Sequence, residues 1–260
     1  MWIDSHNHLQ SPRLGDPLPL IAAMRANGIR RCVVNATCEA DWENVANLSA
    51  HHPDFILPAF GIHPWHAHTA RPGWQEKLRT LLENHPQASI GECGLDTWVS
   101  QSTLDIQLPI FLDQLRLARE FDRPVTIHCL KAWGALFDAF SEAPPPPRFL
   151  MHSFGGSIET ARRLIPLGAY FSFSGHFLHP RKSAVIEVFR QIPPDRLLLE
   201  TDAPDMLPPP EIITHPLPEN QNHPANLPAI GRALAEALEM TSEALAALTR
   251  ENAKRCFGFI

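Results

Sequence analysis

The feature that most constrains the fold of this chain is an alternation of strand and helix patterns along its 260 residues. Eight segments are short, apolar and partly β-branched, as buried parallel strands are. They are residues 3–8, 31–36, 55–61, 88–93, 124–129, 149–152, 170–174 and 197–201. Helical patterns lie between them, and two more follow over residues 227–238 and 242–256. This order predicts an α/β fold, a single (β/α)8 TIM barrel over residues 1–260 with no internal domain boundary.

An open, doubly wound sheet is the alternative architecture, because it is also built from alternating strands and helices. Such folds carry a glycine-rich nucleotide-binding loop after their first strand. No loop of that kind follows the first strand of this sequence. The barrel is therefore the better interpretation.

The composition is that of a globular chain with a small excess of negative charge. Apolar residues make up 44% and charged residues 19%, and the formal net charge is −6. The negative charge argues against broad, charge-driven binding of a nucleic acid backbone, although bound divalent cations could still create a small phosphate site. No apolar run has the length of a membrane span, and residues 1–4 lack the features of a signal peptide. We therefore expect a cytoplasmic protein that does not contact membranes, with a monomer favoured.

The first strand carries a candidate metal-binding pair. Side chains alternate along a strand, so Asp4, His6 and His8 share one face. Two imidazoles in this arrangement can bind one cation, and a nearby carboxylate can fix the tautomer of an imidazole. A solvated surface strand that happens to contain histidine is the alternative interpretation.

Ionisable residues recur at the carboxyl ends of the predicted strands. In chain order they are His6, His8, His63, Glu92, His128, His152, His176, Glu200 and Asp202. In a TIM barrel these ends form one face, and that face carries the chemistry. Ionisable groups in a barrel mouth are costly unless they are paired or bind a metal. The pattern therefore predicts a metal site, with Asp202 nearer the strand end than Glu200 and the better ligand.

The ordered motifs of this chain resemble the TatD-type metal-dependent hydrolases, the TatD deoxyribonuclease family of barrel enzymes. The resemblance covers nearly the whole chain. The motifs are Asp4-Ser5-His6-Asn7-His8, Gly61-Ile62-His63-Pro64, Gly91-Glu92-Cys93-Gly94-Leu95-Asp96, Gln107, Phe111, Gln114-Leu115, Ile127-His128-Cys129, Met151-His152-Ser153-Phe154, Phe173-Ser174-Gly175, Leu199-Glu200-Thr201-Asp202-Ala203-Pro204 and Pro224-Ala225-Asn226. Any one motif is weak evidence, whereas the ordered set is specific.

The resemblance implies a two-metal site and a hydrolytic reaction. One metal would be held by His6, His8, Glu92 and Asp202, and the other by Glu92, His128 and His152, so that Glu92 bridges them. Two divalent ions (Mg, Mn or Zn) can hold an attacking hydroxide and a phosphate oxygen together. Asp202 would accept the proton of the attacking water, so Asp202 and Glu92 are the expected catalytic residues.

Three further carboxylates are expected to support the ligands. Asp96 could hydrogen-bond a ligand histidine, with the cap of a turn as the alternative. Asp4 lies on the same strand face as the first two histidines, and Glu200 precedes Asp202 by two residues and lies deeper in the barrel.

Three residues are expected to contact substrate: His63, Trp65 and Lys131. His63 could bind a phosphate, and a histidine held by backbone bonds at the barrel rim is the alternative. Trp65, like Trp98, could stack on a base, and packing within a loop is the alternative.

The sequence departs from the family pattern after His128. Many members continue with Ser-Arg and an acidic residue, whereas this chain has Cys129-Leu130-Lys131. Leu130 shares a strand face with His128 and should point into the barrel mouth, where leucine cannot grip a phosphate as arginine can. Lys131 should point away, unless the strand has ended and the loop turns it back.

The first interpretation of function is a divalent-metal phosphodiesterase, implied by the resemblance to be a 3′-to-5′ deoxyribonuclease acting on single-stranded DNA or another phosphodiester. The second is a barrel hydrolase of another bond, an aminoacyl-tRNA ester or a cyclic amide. Cyclic amidohydrolases often place a carboxylated lysine on strand four, where this chain has Glu92. The third is a metal-binding protein without turnover, which the complete ligand set disfavours.

Overall fold

The computed structural model describes residues 1–98 and 103–259, and within them eight parallel strands form a barrel. Each strand pairs with the next one along the chain. The strands are β1 (Trp2–Asn7), β2 (Ile29–Asn35), β3 (Ile56–Phe60), β4 (Ser89–Asp96), β5 (Val125–Leu130), β6 (Phe149–Met151), β7 (Ala169–Ser174) and β8 (Leu197–Glu200). Where β8 meets β1, the Ser5 hydroxyl donates to the Leu199 carbonyl at 2.9 Å and the Asp202 amide donates to the His6 carbonyl at 3.0 Å. The predicted (β/α)8 architecture is confirmed.

Helices connect the strands and pack around the outside of the barrel. They are α1 (Pro17–Ala26), α2 (Trp42–His51), α3 (Trp74–Asn84), α4 (Leu104–Glu120), α5 (Trp133–Glu142), α6 (Ile158–Leu164), α7 (Ser183–Phe189), α8 (Leu227–Ala237) and α9 (Ser242–Phe257). The sequence pattern over residues 157–167 predicts one helix, whereas the structure changes to a 3-10 turn at Ile165. Pro166 explains the change, because proline has no amide hydrogen and clashes with the preceding helical turn. None of the helices within the described ranges is both long and apolar enough to cross a membrane.

An apolar plug closes the N-terminal end of the barrel. It combines strand residues with the end of the chain: Ile3, Val33, Leu57, Ala59, Leu150, Tyr170, Leu198, Ala253, Cys256, Phe257 and Phe259. Complete burial of one large apolar side chain contributes roughly 1.5–3 kcal/mol. The C-terminal end of α9 therefore seals this end, and the opposite end of the barrel is left for polar side chains.

Two buried glutamines on α4 fasten the carboxyl ends of β3 and β4. Gln114 accepts a hydrogen bond from the amide of Ile62 at 2.8 Å and donates to its carbonyl at 3.2 Å. Gln107 does the same at Asp96, with both hydrogen bonds at 2.8 Å. Strand β4 accordingly runs to Asp96, three residues beyond its predicted end. These glutamines hold the two backbone segments that carry His63 and Asp96.

Candidate metal centre

The ionisable side chains of the strand ends meet at one cavity at the C-terminal end of the barrel. The cavity has a volume of about 810 Å³. Its wall includes His8, His63, Glu92, His128, His152 and Asp202. His6 is fully buried against this group, 3.3 Å from Glu92. The structure thus brings together all six residues that were expected to bind metal.

Glu92 occupies the centre of the group. Its Oε2 lies 3.3 Å from Nε2 of His6 and 3.2 Å from Nε2 of His8. Its Oε1 lies 3.2 Å from Nδ1 of His128 and 2.7 Å from Nε2 of His152. Burial opposes a charged carboxylate, but the surrounding imidazoles outweigh it and hold the pKa of Glu92 well below its usual range. One ionised carboxylate therefore faces two separate pairs of imidazoles.

The distances between imidazole nitrogens fit metal ligation. Nε2 of His6 and Nε2 of His8 are 3.2 Å apart, and Nδ1 of His128 and Nε2 of His152 are 3.1 Å apart. Two ligands of one tetrahedral zinc ion, each bound at about 2.0–2.1 Å, are separated by about 3.3 Å. Two nitrogen lone pairs at this distance repel unless a proton or a cation lies between them. Imidazoles combined with carboxylates are a donor set that suits Zn and Mn.

Asp202 lies on the His6 and His8 side of Glu92. Its Oδ1 is 3.2 Å from Nε2 of His6 and 3.5 Å from Nε2 of His8. Burial raises its pKa, but contact with these imidazoles outweighs that effect and the pKa is lowered. Its backbone has a φ of 54°, a left-handed conformation that costs a non-glycine residue about 1–3 kcal/mol. Such conformations cluster at functional sites, and here the turn aims the carboxylate back at the strand ends.

Asp4 supports the loop that carries Asp202 and not the imidazoles themselves. Its carboxylate accepts hydrogen bonds from the amide of Thr201 at 2.9 Å, the hydroxyl of Thr201 at 2.6 Å and the side chain of Asn7 at 3.0 Å. Burial raises its pKa to about 7. Asp4 therefore joins the end of β8 to β1 and sets the backbone position from which Asp202 extends.

A backbone carbonyl, which side-chain patterns do not reveal, fixes the tautomer of His8. Nδ1 of His8 lies 2.8 Å from the carbonyl oxygen of Asn35 at the end of β2. A carbonyl only accepts hydrogen bonds, so Nδ1 carries the hydrogen and Nε2 offers its lone pair to the centre.

Asp96 and Trp65 orient His128. Nε2 of His128 lies 2.9 Å from Oδ2 of Asp96, and the same oxygen accepts a 2.7 Å hydrogen bond from the indole of Trp65. Because Nε2 donates to the carboxylate, Nδ1 of His128 is left to face Glu92. Strand β5 comes close to β4 here, and a Cβ at Gly94 would lie only 1.9 Å from the carbonyl oxygen of His128. Glycine at 94 is therefore a condition for this position of His128.

Glu200 lies behind His152. Its Oε1 accepts hydrogen bonds from the amide and the hydroxyl of Ser153, each at 2.7 Å, and its Oε2 accepts one from the hydroxyl of Ser172. Nδ1 of His152 is 3.7 Å from Oε1, which is beyond hydrogen-bond distance. Glu200 therefore orients His152 through the backbone of Ser153 and through charge.

His63 lies inside the group and offers a hydrogen bond to Glu92. Its Nδ1 accepts from the amide of Trp65 at 3.1 Å, so Nε2 carries the hydrogen and donates to Oε1 of Glu92 at 3.2 Å. Burial lowers the pKa of His63 to about 4, which keeps the ring neutral. Its Nε2 could join a cluster with Glu92 and His128 by distance alone, but the bond at Nδ1 makes Nε2 a donor.

Two adjacent residues at the end of β5 lie in different surroundings. Leu130 lines the cavity and is 39% exposed, in agreement with its expected face. Lys131 has a φ of 56°, and its amine lies 3.9 Å from the ring centroid of Trp98. Lys131 therefore reaches a tryptophan that is 65% exposed and does not form part of the cavity wall.

Residues of the loop after β7 also line the cavity. His176 does so together with His179 and Arg181. Arg181 carried no sequence signal for this role, because it lies in a loop with neither strand periodicity nor a strand-end position. From the sequence alone, the position of His176 after a strand indicates a site residue only weakly, and the pattern assigns no role to His179.

A TIM barrel with imidazoles gathered around a carboxylate at its C-terminal face belongs to the class of metal-dependent hydrolases. The model of the family "TatD related DNase" matches residues 3–258. The chain belongs to the TatD family, as the motifs indicated.

Relatives of similar length match nearly the whole chain. The uncharacterized metal-dependent hydrolase YabD of Bacillus subtilis is 32% identical over 259 residues, covering 99% of each chain. A protein of Edwardsiella piscicida named 3′-5′ ssDNA/RNA exonuclease TatD is 30% identical over 247 residues, covering 94% of each. The crystal structure of YjjV, a TatD homologue from Escherichia coli, superimposes with a TM-score of 0.91 at 26% identity, covering 100% of this chain and 98% of that one.

Proposed function

We propose that this metal-dependent hydrolase is a two-metal phosphodiesterase that removes nucleotides from the 3′ end of single-stranded DNA. The observation that carries the proposal is the geometry of Glu92, whose two oxygens face separate imidazole pairs at 2.7–3.3 Å. The name of the Edwardsiella relative, a 3′-5′ ssDNA/RNA exonuclease, supports the choice of substrate.

In this proposal the expected ligands divide into two sets that share Glu92. One set is His6, His8, Glu92 and Asp202, and the other is Glu92, His128 and His152. Divalent cations bound there would lower the pKa of a water molecule and neutralise charge on the phosphoryl group.

The protein side chains then have distinct tasks. Asp202 accepts a proton from the attacking water, which requires an ionised carboxylate, and the lowered pKa keeps it ionised. His63 is neutral and carries its hydrogen on Nε2, so it can donate to a phosphate oxygen in place of Oε1 of Glu92. Asp96 and Asn35 hold the rings of His128 and His8 in the tautomers that present a lone pair.

The test is an activity profile of metal-stripped protein supplied separately with Mg, Mn or Zn. Substrates are single-stranded DNA, RNA, a phosphomonoester and an aminoacyl-tRNA. A 5′-labelled oligonucleotide that shortens one nucleotide at a time, and is protected by a 3′-terminal phosphorothioate, is the expected result. Release of amino acid from the aminoacyl-tRNA with no cleavage of DNA would contradict the proposal and favour the ester hydrolase.

A further inference from the structure

A basic segment between β7 and α7 lines the same cavity as the metal centre. His176, His179 and Arg181 form part of the wall that also includes Glu92. Strands β3 and β7 are four positions apart in the eight-stranded order, so they lie on opposite sides of the barrel. The segment therefore lies across the mouth from His63, which follows β3.

No neighbouring carboxylate neutralises the charge of this segment. Arg181 is exposed, and within residues 1–98 and 103–259 it has no ion-pair partner. By contrast, Arg13 on another part of the wall is held by Asp205 at 2.9 Å. Burial and the neighbouring positive charges lower the pKa of His176. His176 is therefore a neutral hydrogen-bond donor, and in a chain of net charge −6 the positive charge that this segment brings to the wall is that of Arg181.

The histidines of the segment lie close together, and among the described residues the wall has one further arginine, Arg13. The rings of His176 and His179 are 5.2 Å apart, and Nε2 of His179 donates to the carbonyl of Leu207 at 3.3 Å. Leu130 brings no charge to the end of β5, and Lys131 is held over a tryptophan ring outside the wall. Of the two arginines in the described part of the wall, Arg13 is paired with Asp205, so the guanidinium that is free to bind an anion lies on the β7–α7 side.

We propose that His176, His179 and Arg181 form a subsite for a second phosphate of the substrate, that of the phosphodiester next to the scissile bond. A guanidinium is suited to this task because it can bind two phosphate oxygens at once. The subsite rests on the proposed function, because the metal centre must hold the first phosphate. The substrate class is then an oligonucleotide with at least two phosphodiesters, in preference to a compound with one.

The experiment compares two thymidine oligonucleotides, TpTpT and the same trimer with a neutral methylphosphonate as the upstream linkage. Holoenzyme is assayed as wild type, as the triple variant H176A/H179A/R181A, and as Lys182→Ala. Lys182 is a positive charge beside His176 but does not line the cavity, so it is the matched control for nearby charge without contact with the substrate. Metal content and cleavage of the one-phosphate dimer TpT are measured for each protein.

Wild type and Lys182→Ala should cleave TpTpT with a kcat/KM about tenfold above that for the methylphosphonate trimer, the loss expected for charge-assisted hydrogen bonds. The triple variant should treat both trimers alike and retain wild-type metal content and activity on TpT. A triple variant that keeps the tenfold preference, or that loses TpT cleavage in equal measure, overturns the subsite.

If the wild-type enzyme cleaves none of the three oligonucleotides, that result contradicts the proposed function. The phosphate subsite can then still be tested by binding. In that case fluorescence titration decides. Tighter binding of TpTpT than of the methylphosphonate trimer by wild type, and not by the triple variant, supports the subsite. Equal binding of both by wild type overturns it.

Discussion

At the scale of single residues, the two carboxylate oxygens of Glu92 contact five imidazoles. The contacts run from His6 and His8 on one side to His63, His128 and His152 on the other. Only 2% of Glu92 is exposed, so water contributes little to stabilising its charge. A buried carboxylate of this kind depends on partners of opposite charge, which protonated imidazoles or cations can supply.

Replacing Glu92 with glutamine should weaken both metal sites together. The change keeps the size of the side chain and removes the charge that each proposed cation requires. The measurement is elemental analysis after dialysis against a limiting metal concentration, with Asp202→Asn as the control that should weaken only one site. Loss of a single equivalent in Glu92→Gln would show that Glu92 does not bridge.

The Asp202→Asn variant should retain the fold and lose turnover by about 10²-fold or more, the range for removal of a general base. The amide keeps the shape of the side chain but cannot accept the proton. Steady-state kinetics and urea unfolding are measured on the same preparation. A large fall in the free energy of unfolding, with turnover falling only in proportion to the folded fraction, would indicate a structural role.

Leu130→Arg should lower the KM for a short single-stranded oligonucleotide and leave metal content unchanged. Leu130 lines the cavity and is 39% exposed, so a guanidinium there can reach a phosphate. Leu130→Met is the control of similar volume, and all kinetics use one salt concentration. Unaltered kinetics in Leu130→Arg, together with weaker binding in Lys131→Ala, would assign the phosphate contact to Lys131.

Side-chain patterns could predict which residues converge, but not what fixes their orientation. His8 was predictable as a strand-end histidine two residues from His6. The group that fixes its tautomer, the Asn35 carbonyl, is backbone and has no sequence signature. Asp4 shows the same limit, because strand alternation placed it on the correct face while its partner, Thr201, is 197 residues away.

At the scale of elements, α4 positions the mouth by bonding to the ends of β3 and β4. Gln107 and Gln114 belong to the family motifs. The side-chain amide of Gln107 both donates to and accepts from the backbone of Asp96, and that of Gln114 does the same with Ile62. The strand ends they hold carry the groups that orient His128 and place His63. Helix packing and site geometry are thus coupled through two amide side chains.

Gln114→Leu should destabilise the protein by about 1–3 kcal/mol, because the buried amide of Ile62 loses its acceptor. It should also raise KM, since His63 is the next residue. The measurement is urea unfolding with parallel kinetics. Gln75→Leu is the control, because the side chain of Gln75 donates to Asp113 at the surface of the neighbouring helix. Equal stability of the two variants would contradict the role of Gln114.

The element boundaries were predictable where local chemistry determined them and not where distant contacts did. The order of strands followed from apolar runs and turn residues, and the structure confirms it. The extension of β4 to Asp96 was not predictable, because it depends on Gln107 and on pairing with Leu130 of β5. The sequence predicts Asp41 as the cap of α2, and Asp41 is the N-cap residue, but its carboxylate accepts hydrogen bonds from the amides of Thr37 and Cys38 and none from the helix.

At the scale of the whole molecule, the two ends of the barrel differ: one is packed with apolar side chains, and the other carries the candidate metal centre. One end is filled by apolar side chains with the end of α9, and the other is a cavity of about 810 Å³ lined by ionisable groups. Crowding of imidazoles and carboxylates in that cavity is costly without cations. Bound metal should therefore stabilise the entire fold by binding the native state alone.

Addition of Mn or Zn to stripped protein should raise the melting temperature. At a hundredfold excess over Kd, one site contributes about 2.7 kcal/mol, which corresponds to about 5–10 °C for a chain of this size. Differential scanning calorimetry measures the rise in melting temperature. The double variant H6A/H8A should show roughly the rise expected for one occupied metal site. An identical shift in both proteins would mean that His6 and His8 bind no metal.

The central claim, two cations bridged by one carboxylate, is tested most directly by electron paramagnetic resonance. Two Mn(II) ions held about 3.5–4 Å apart couple magnetically, whereas a single or isolated ion gives a six-line spectrum. Metal-stripped wild type with two equivalents of Mn(II) should give the coupled multiline spectrum, and Glu92→Gln should not. A plain six-line spectrum from wild type at full occupancy would contradict the two-metal centre.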